Sequence, residues 1–201
     1  MTALEDAVRA VQNGGLVVMP TDTVYGIGTR PDDPAATARL FEAKGRPRDL
    51  ELPVLVASTA DAETVASFDE RARGLAREFW PGPLTLVLPR TSASLGWNLG
   101  GDPGTVGVRI PDHPLARALL KGTGPAAVTS ANLSGRPPID TCEELLTAFG
   151  DAVEVYLCEQ EPLRGRASTV VDLARGGPRV LRSGDISEEA LLRALGLDSR
   201  P

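Results

Sequence analysis

Short, mainly apolar runs alternate with amphipathic stretches along the chain. The apolar runs have the length and continuity of strands buried on both faces of a sheet. They predict strands at residues 16–19, 53–57, 84–88, 105–110, 126–129, 153–157, 169–173 and 179–181. Apolar residues at helical spacing, bounded by capping residues, Pro and Gly, predict helices at residues 2–12, 34–44, 60–67, 70–79, 114–120, 142–149 and 187–195.

The order of these elements indicates the fold class. Helices and strands alternate without internal repeats or linkers, so we expect residues 1–201 to form a single α/β domain. Two stretches, near 88–105 and 155–182, connect strands directly, which favours antiparallel pairs. The expected architecture is therefore a twisted, mixed parallel and antiparallel sheet flanked by helices, with residues 20–28 as a polar loop.

The composition is that of a globular protein with an acidic balance. Hydrophobic residues make up 42% of the 201 residues and charged residues 24%, which suffices for a buried core. Acidic residues outnumber basic ones by 27 to 21, giving a net charge of −6. A broad nucleic-acid-binding surface needs the opposite sign. We therefore expect any anion-binding site to be confined to one part of the molecule.

The cysteines and the histidine argue against a metal site, and the hydropathy argues against a secreted or membrane protein. Cys142 and Cys158 form no CxxC pair, and the single histidine, His113, lies in a turn before Pro114, so no zinc site is expected. We interpret both cysteines as buried, reduced thiols rather than a disulfide. Neither a signal-peptide pattern nor an apolar run near ~20 residues is present, so a cytoplasmic protein without membrane contact is expected.

Neither a GxxxxGK[ST] loop nor a GxGxxG turn occurs, so the sequence contains neither a P-loop nor a Rossmann dinucleotide-binding motif. The candidate site residues lie instead on polar loops. The loop PTDTVYGIG at 20–28 suits a small polar ligand and equally suits an ordinary turn. A second segment concentrates Lys44, Arg46 and Arg48. Since Arg46 precedes a proline, an extended Lys-x-Arg segment would direct both cations to one side as an anion clamp. Cations favourably placed at a helix C-terminus are the alternative interpretation.

A third loop follows the strand at 126–129. Its Ser130 and Asn132, two residues apart, can offer a hydroxyl and an amide on one side, although Ser, Asn and Gly also build turns. Arginines and hydroxyls recur at three further strand ends, in GTVGVR (104–109), RGRAST (164–169) and LRSG (181–184). Several cations gathered in one concavity of an acidic protein indicate a site for an anionic small molecule.

These loops occur together in one known family. The chain contains PTDTVYGIG (20–28), AKGRP (43–47), WPGPLTLVL (80–88), TVGVRIPDHP (105–114), TSANLSGRPP (129–138), STVVDL (168–173) and VLRSG (180–184). In this order they resemble the YrdC/TsaC family of threonylcarbamoyl-AMP synthases, in its short single-domain bacterial form. The resemblance extends from residue 16 to residue 184 and implies a YrdC-like fold.

The resemblance also implies an activity and its residues. It implies a nucleotidyltransferase that condenses L-threonine, bicarbonate and ATP to threonylcarbamoyl-AMP and pyrophosphate, for tRNA threonylcarbamoyladenosine modification. Lys44 and Arg46, as the family's KxR pair, would bind the ATP phosphates and be catalytic. The other implied contacts are those to ATP from Thr105, Ser130, Asn132, Pro138 and Arg182 and those to threonine from Thr23, Arg109 and Ser168.

The expected mechanism is catalysis by positioning and charge neutralisation. Attack of a carbamate oxygen on the α-phosphorus needs no nucleophilic side chain, and Mg²⁺ is expected to arrive with ATP. The labile product would pass to the tRNA threonylcarbamoyltransferase complex, with at most weak tRNA binding by this chain. Two departures affect the threonine pocket: LELPVLVAS at 50–58 is one residue longer than the NPL form, and Ala57 stands where some members have a histidine.

Two other functions fit parts of the sequence. A non-catalytic RNA-binding module of the same fold is opposed by the acidic balance and by an aromatic content of 4%. RNA binding would also weaken steeply with salt, whereas turnover of small molecules would change less. A carbamoyl-adenylating domain like that of hydrogenase-maturation proteins would use carbamoyl phosphate, but those domains occur fused to others.

Overall fold

The computed structural model describes residues 2–163 and 165–197. The helices are α1 (Ala3–Gln12), α2 (Pro34–Lys44), α3 (Thr59–Val65), α4 (Glu70–Phe79), α5 (Pro114–Thr123), α6 (Cys142–Phe149) and α7 (Glu188–Ala194). The strands are β1 (Val17–Met19), β2 (Gly26–Thr29), β3 (Val54–Leu55), β4 (Leu84–Pro89), β5 (Thr105–Arg109), β6 (Ala126–Ser130), β7 (Val155–Tyr156), β8 (Thr169–Asp172) and β9 (Arg179–Arg182). The predicted helices are all present within a few residues of their expected limits.

The strands form one mixed sheet in the order β7-β1-β2-β6-β3-β5-β4-β8-β9. The pairs β7–β1, β3–β5 and β4–β8 are parallel, and the other neighbours are antiparallel. This confirms the mixed sheet and the antiparallel pairs β4–β5 and β8–β9. The expectation of a direct antiparallel pairing from residue 155 onwards was wrong for β7, which lies at the far edge beside β1.

The predicted helix ends correspond to specific caps. Thr2 and Glu5 form a capping box at the start of α1. The side chain of Asp33 accepts a hydrogen bond from the backbone N–H of Ala35 at the start of α2. Gly45 ends α2 in the left-handed conformation, with φ of 58°. His113 immediately precedes α5, as expected, although its side chain makes no capping hydrogen bond.

One strand was not predicted. Residues 26–29 form β2, which pairs antiparallel with both β1 and β6, where the sequence indicated a loop. Two of its four residues are glycines, and glycine is typical of turns rather than strand interiors. The packing explains them, because a Cβ on Gly26 or Gly28 would lie 2.7 Å from a side-chain carbon of Val128 on β6.

The two faces of the sheet are covered unequally. Leu84, Leu86, Val106 and Val108 point to the face on which α2, α3, α4, α6 and α7 pack. On the opposite face, α1 and α5 form a smaller apolar cluster with β1, β3 and β6. Since side chains alternate along a strand, Thr85, Val87, Gly107 and Arg109 point to this second face. The candidate site lies there, beyond the area covered by the two helices.

The cysteines form a disulfide, which corrects the expectation of two reduced thiols. Cys142 begins α6 and Cys158 follows β7, and their Cα atoms are 5.8 Å apart. The pairing of β7 with β1 at the sheet edge places Cys158 within bonding distance of α6. In the part of the chain that the structure describes, no helix has the length and apolar character needed to cross a membrane.

Candidate functional site

A cavity of about 300 Å³ opens on the second face of the sheet. This volume is at the lower end of the range typical of small-molecule sites. Its floor consists of outward-facing residues of β3, β4, β5, β6 and β8, and its walls come from the loops that follow β1, precede β3 and precede β8. The polar and charged side chains that line it are those of Thr21, Thr23, Tyr25, Arg46, Glu51, Thr85, Arg109, Thr129, Ser130, Ser168 and Arg182.

Six of the ten site residues expected from the sequence line this one cavity: Thr23, Arg46, Arg109, Ser130, Ser168 and Arg182. They come from positions between 23 and 182 in the chain, and the sheet brings them together. Three of them are arginines, whereas the described lining residues include a single acid, Glu51. The cavity is therefore a local cationic site in a protein of net charge −6, as the sequence indicated.

Arg109 is held rigidly at one end of the cavity. Its Nε donates to the carbonyl of Gly82 at 2.9 Å, Nη1 to Oγ1 of Thr23 at 2.9 Å, and Nη2 to Oδ1 of Asp22 at 2.5 Å. Burial lowers the pKa of Arg109, and the adjacent Asp22 opposes that effect. A guanidinium has five N–H groups, so two remain for a ligand. Such a fixed, half-satisfied guanidinium is suited to a carboxylate.

Thr23 belongs to a hydroxyl network that extends the Arg109 end of the site. Its Oγ1 lies 2.9 Å from Oγ1 of Thr21, which in turn donates to the carbonyl of Val24 at 2.6 Å. The segment before β8 passes directly over this loop, because a Cβ on Gly165 would lie 1.5 Å from the carbonyl oxygen of Thr23. The N–H of Glu159 donates to Oη of Tyr25 at 2.9 Å. Gly165 therefore packs against the backbone of Thr23, and Ala167 of the same segment lines the cavity, whereas Arg164 lies outside the described residues.

Ser168 and Arg182 form a second cluster with Thr85. Oγ of Ser168 lies 2.8 Å from Oγ1 of Thr85 and accepts a hydrogen bond from Nη2 of Arg182 at 3.0 Å. Nε of Arg182 donates to the carbonyl of Ser168 at 3.0 Å. Burial lowers the pKa of Arg182. These contacts fix the side chain of Arg182, which comes from edge strand β9, against the cavity.

Arg46 reaches the cavity from the loop that follows α2. Its Nε donates to the carbonyl of Leu50 at 3.1 Å and its Nη2 to the carbonyl of Glu51 at 2.8 Å. Burial lowers the pKa of Arg46, and the positive charge of Arg182 lowers it further. Two cations that disfavour each other across a cavity favour binding of an anion between them.

Lys44 does not have the expected geometry. Because Lys44 is the last residue of α2 and Gly45 is left-handed, the Lys-x-Arg segment is not extended. Nζ of Lys44 donates to the carbonyls of Ser130, at 2.5 Å, and of Asn132, and does not line the cavity. Burial lowers the pKa of Lys44 to about 7. The lysine thus ties α2 to the loop that carries Ser130.

Asn132 supports Ser130 rather than lining the cavity itself. Oγ of Ser130 donates to Oδ1 of Asn132 at 2.6 Å. Nδ2 of Asn132 donates to the carbonyls of Leu133 and Arg136 at 2.9 and 2.7 Å. Ser130 and Asn132 therefore lie side by side, but only Ser130 lines the cavity, and the amide of Asn132 is bonded within its own loop.

Three other positions lie outside the cavity lining. Thr105 begins β5 and points to the same face of the sheet as Gly107 and Arg109, but unlike them it does not line the cavity. Pro138 is exposed on the loop between β6 and α6. Ala57 is buried in the cluster beneath α1 and α5. The contacts implied for Thr105 and Pro138 stay predictions.

Three residues of the site were not predicted from the sequence. Thr85 interrupts the apolar run of β4, and Glu51 interrupts the apolar segment that precedes β3. A polar residue within an apolar run was the available signal in both cases. Asp22 was included in the first loop, but nothing local showed that it would pair with Arg109, 87 residues away.

Glu51 has an unusual environment for a carboxylate. Burial raises its pKa to about 7, although Arg90 opposes the shift. Its Oε1 is buried without a hydrogen-bond partner among the described residues and lies 3.6 Å from Nη2 of Arg90. This buried oxygen faces Arg90. The side chain is 20% exposed, and its other oxygen, Oε2, makes no hydrogen bond among the described residues and can accept a bond from a ligand in the cavity.

The mixed sheet and its arginine-lined concavity define an α/β protein with a binding site for a small anionic molecule. The family model Sua5_yciO_yrdC, described as telomere recombination, matches residues 9–184. The chain belongs to this Sua5/YciO/YrdC family.

Individual relatives agree with the family model. The chain is 48% identical, over 96% of its length and 89% of the relative's, to a Mycobacterium tuberculosis protein provisionally named threonylcarbamoyl-AMP synthase. It is 31% identical to the Vibrio campbellii threonylcarbamoyl-AMP synthase, over 92% of this chain and 100% of that protein. The Pyrococcus abyssi Sua5 structure complexed with L-threonine superposes with a TM-score of 0.87 at 37% identity, over 97% of this chain and 58% of that one.

Proposed function

We propose that this protein is a threonylcarbamoyl-AMP synthase, a nucleotidyltransferase that converts L-threonine, bicarbonate and ATP to threonylcarbamoyl-AMP and pyrophosphate. The observation that carries the proposal is the convergence of Thr23, Arg46, Arg109, Ser168 and Arg182 on one cavity. This arrangement occurs in a chain similar over nearly its whole length to proteins that bear this name. A relative of the same fold has been described with L-threonine bound.

The Arg109 end of the cavity is assigned to threonine. The two free N–H groups of Arg109 would bind the carboxylate in a bidentate manner. The hydroxyls of Thr23 and Ser168 would form hydrogen bonds with the remaining polar groups of N-carboxy-threonine. Every one of these groups is already fixed by other contacts, so little side-chain freedom is lost on binding.

The opposite end is assigned to the triphosphate of ATP with its Mg²⁺. Arg46 lines this end, and Arg182, whose charge lowers the pKa of both Arg46 and Arg109, lies between it and the threonine end. Burial and the repulsion between Arg46 and Arg182 make binding of an anion between them favourable. Ser130 would contribute a hydroxyl. Lys44 would act mainly as a positioning residue, because its ammonium holds the backbone of Ser130 and Asn132.

The chemistry proposed for this site is an in-line displacement. A carbamate oxygen of N-carboxy-threonine attacks the α-phosphorus, the bond from that phosphorus to the bridging oxygen breaks, and pyrophosphate leaves with the bond electrons. Arg46 and Arg182 would neutralise the charge that builds up on the phosphates, and Mg²⁺ bound with ATP would supply further positive charge there. The product would then pass to the tRNA threonylcarbamoyltransferase complex, with at most weak tRNA binding by this chain.

Substitution of Arg46 tests the phosphate assignment. In Arg46→Ala, threonine-dependent release of pyrophosphate should fall to the background, because one of the two cations facing the phosphates is lost. Arg48→Ala is the matched control, since Arg48 lies two residues away with its guanidinium 4.4 Å over the ring of Phe41, outside the cavity. Full activity in Arg46→Ala, or equal losses in both variants, would contradict the assignment.

A further inference from the structure

Glu51 is the single acidic side chain among the described residues that line the cavity. Its Oε1 is buried and has no hydrogen-bond partner there. The distance of 3.6 Å from this oxygen to Nη2 of Arg90 is too long for a hydrogen bond. Arg90 is instead held by the carbonyls of Thr105, Ser94 and Trp97. Arg90 therefore pairs with Oε1 electrostatically, whereas Oε2 makes no hydrogen bond among the described residues and, in a side chain that is 20% exposed, is the oxygen available to a ligand in the cavity.

The backbone around Glu51 is fixed. The N–H of Leu52 donates to the carbonyl of Leu99 at 2.8 Å, and the N–H of Gly101 donates to the carbonyl of Arg48 at 2.9 Å. Gly101 has a φ of 59° and approaches so closely that a Cβ on it would lie 2.8 Å from Cβ of Glu51. The carboxylate is thus part of a preformed wall.

The strand register shows which end of the cavity Glu51 occupies. Parallel strands β3 and β5 pair Val54 with Val108 and Leu55 with Arg109. Arg90, which pairs with Glu51, donates to the carbonyl of Thr105 at 2.6 Å, and Thr105 precedes Arg109 by four residues of β5, which is about 13 Å of strand. The carboxylate therefore lies at the end away from Arg109, and it is poorly placed to act on the amino group of threonine.

Arg46, a lining cation assigned to the phosphates, lies beside Glu51. Nη2 of Arg46 donates to the backbone carbonyl of Glu51 itself at 2.8 Å. A carboxylate at this place would repel the phosphates unless a cation lay between them. Mg²⁺ in nucleotide sites is typically held by one or two carboxylates, by phosphate oxygens and by water.

We propose that Glu51 is the protein ligand for the Mg²⁺ that accompanies ATP. This inference rests on the proposed function, because it assumes that the triphosphate lies beside Arg46. It assigns a role to a residue in the segment 50–58, where the sequence departs from the NPL form.

Calorimetric binding of a non-hydrolysable ATP analogue to the Glu51→Gln variant tests the proposal, with Glu63→Gln as control. Glu63 is on α3 and pairs with Arg73 on the surface. With Mg²⁺ present, Glu51→Gln should bind the analogue about tenfold or more weakly than wild type. With metal removed by chelation, the same variant should bind the analogue more tightly than wild type, because a repulsive charge is gone. The Glu63→Gln protein should match wild type in both conditions.

A second measurement follows the metal directly. Mn²⁺ can replace Mg²⁺ and is paramagnetic, so its electron paramagnetic resonance signal reports how much is bound in the presence of the analogue. Wild type should bind Mn²⁺ with the analogue, and Glu51→Gln should lose most of that binding. Equal weakening with and without metal would assign Glu51 to the nucleoside and overturn the proposal. Failure of wild type to bind the analogue at all would instead refute the proposed function.

Discussion

The buried ion pair between Asp22 and Arg109 is the feature on which the proposed threonine site most depends. The side chains are 15% and 7% exposed, and Oδ1 of Asp22 accepts hydrogen bonds from both Nη2 of Arg109 and the N–H of Asp112. Asp22→Ala removes both bonds and leaves the guanidinium buried without its counter-charge.

The size of the effect follows from this burial. Removing one partner of a buried ion pair costs about 3–5 kcal/mol, because the remaining charge is left uncompensated. Asp22→Asn retains an oxygen in the same place and should lower the free energy of unfolding by only about 1.5–3 kcal/mol. The exposed pair of Asp6 and Arg9 on α1, with side chains 44% and 50% exposed, provides a control. Asp6→Ala should cost about 1 kcal/mol or less.

Urea unfolding measures these differences as changes in the midpoint at constant slope. A double-mutant cycle with Arg109→Ala then isolates the pair, and the double variant should lose clearly less than the sum of the single losses. In steady-state kinetics, Asp22→Asn should raise the KM for threonine while leaving the KM for ATP nearly unchanged, since Arg109 faces the threonine end. An Asp22→Ala protein less than about 1 kcal/mol below wild type, with additive single losses, would refute the reasoning.

Two further predictions concern the contact of Gly165 with Thr23 and the buried Lys44. Gly165→Ala should raise the KM for threonine, because the added Cβ would overlap the carbonyl oxygen of Thr23 and push the segment before β8 away from that loop. Gly177→Ala is the control: its added Cβ meets no atom within 4 Å, and the variant should behave as wild type. The pKa of Lys44 is lowered by burial from 10.5 to about 7, so between these values the unfolded chain binds a proton that the folded chain does not. The free energy of unfolding of wild type relative to Lys44→Met should therefore rise with pH across this window, by at most ~1.4 kcal/mol per pH unit, and a flat difference would show that the lysine stays charged.

The elements that were predicted correctly are those whose determinants are local. The helix ends at Thr2, Asp33 and Gly45 depend on side chains or φ angles within three residues of the cap. The strands at 84–88 and 105–110 are apolar runs that need no knowledge of their neighbours. β2 was not predicted because its glycines are required by close packing against Val128 on another strand, and the local sequence does not show that contact.

The same distinction applies to the site. Arg46, Arg109, Ser168 and Arg182 could be selected because polar groups at strand and loop ends are a local pattern, reinforced by the family resemblance. The behaviour of Lys44 could not be predicted, because its partners are 86 and 88 residues away. The disulfide between Cys142 and Cys158 likewise depends on the placement of β7 at the sheet edge beside β1.

Pyrophosphate release by the wild-type protein, with ATP, Mg²⁺ and bicarbonate, tests the central claim most directly. We expect that release requires L-threonine, that L-serine supports it poorly, and that carbamoyl phosphate does not replace threonine and bicarbonate. Release that is independent of threonine, or that depends on carbamoyl phosphate, would contradict the proposed activity.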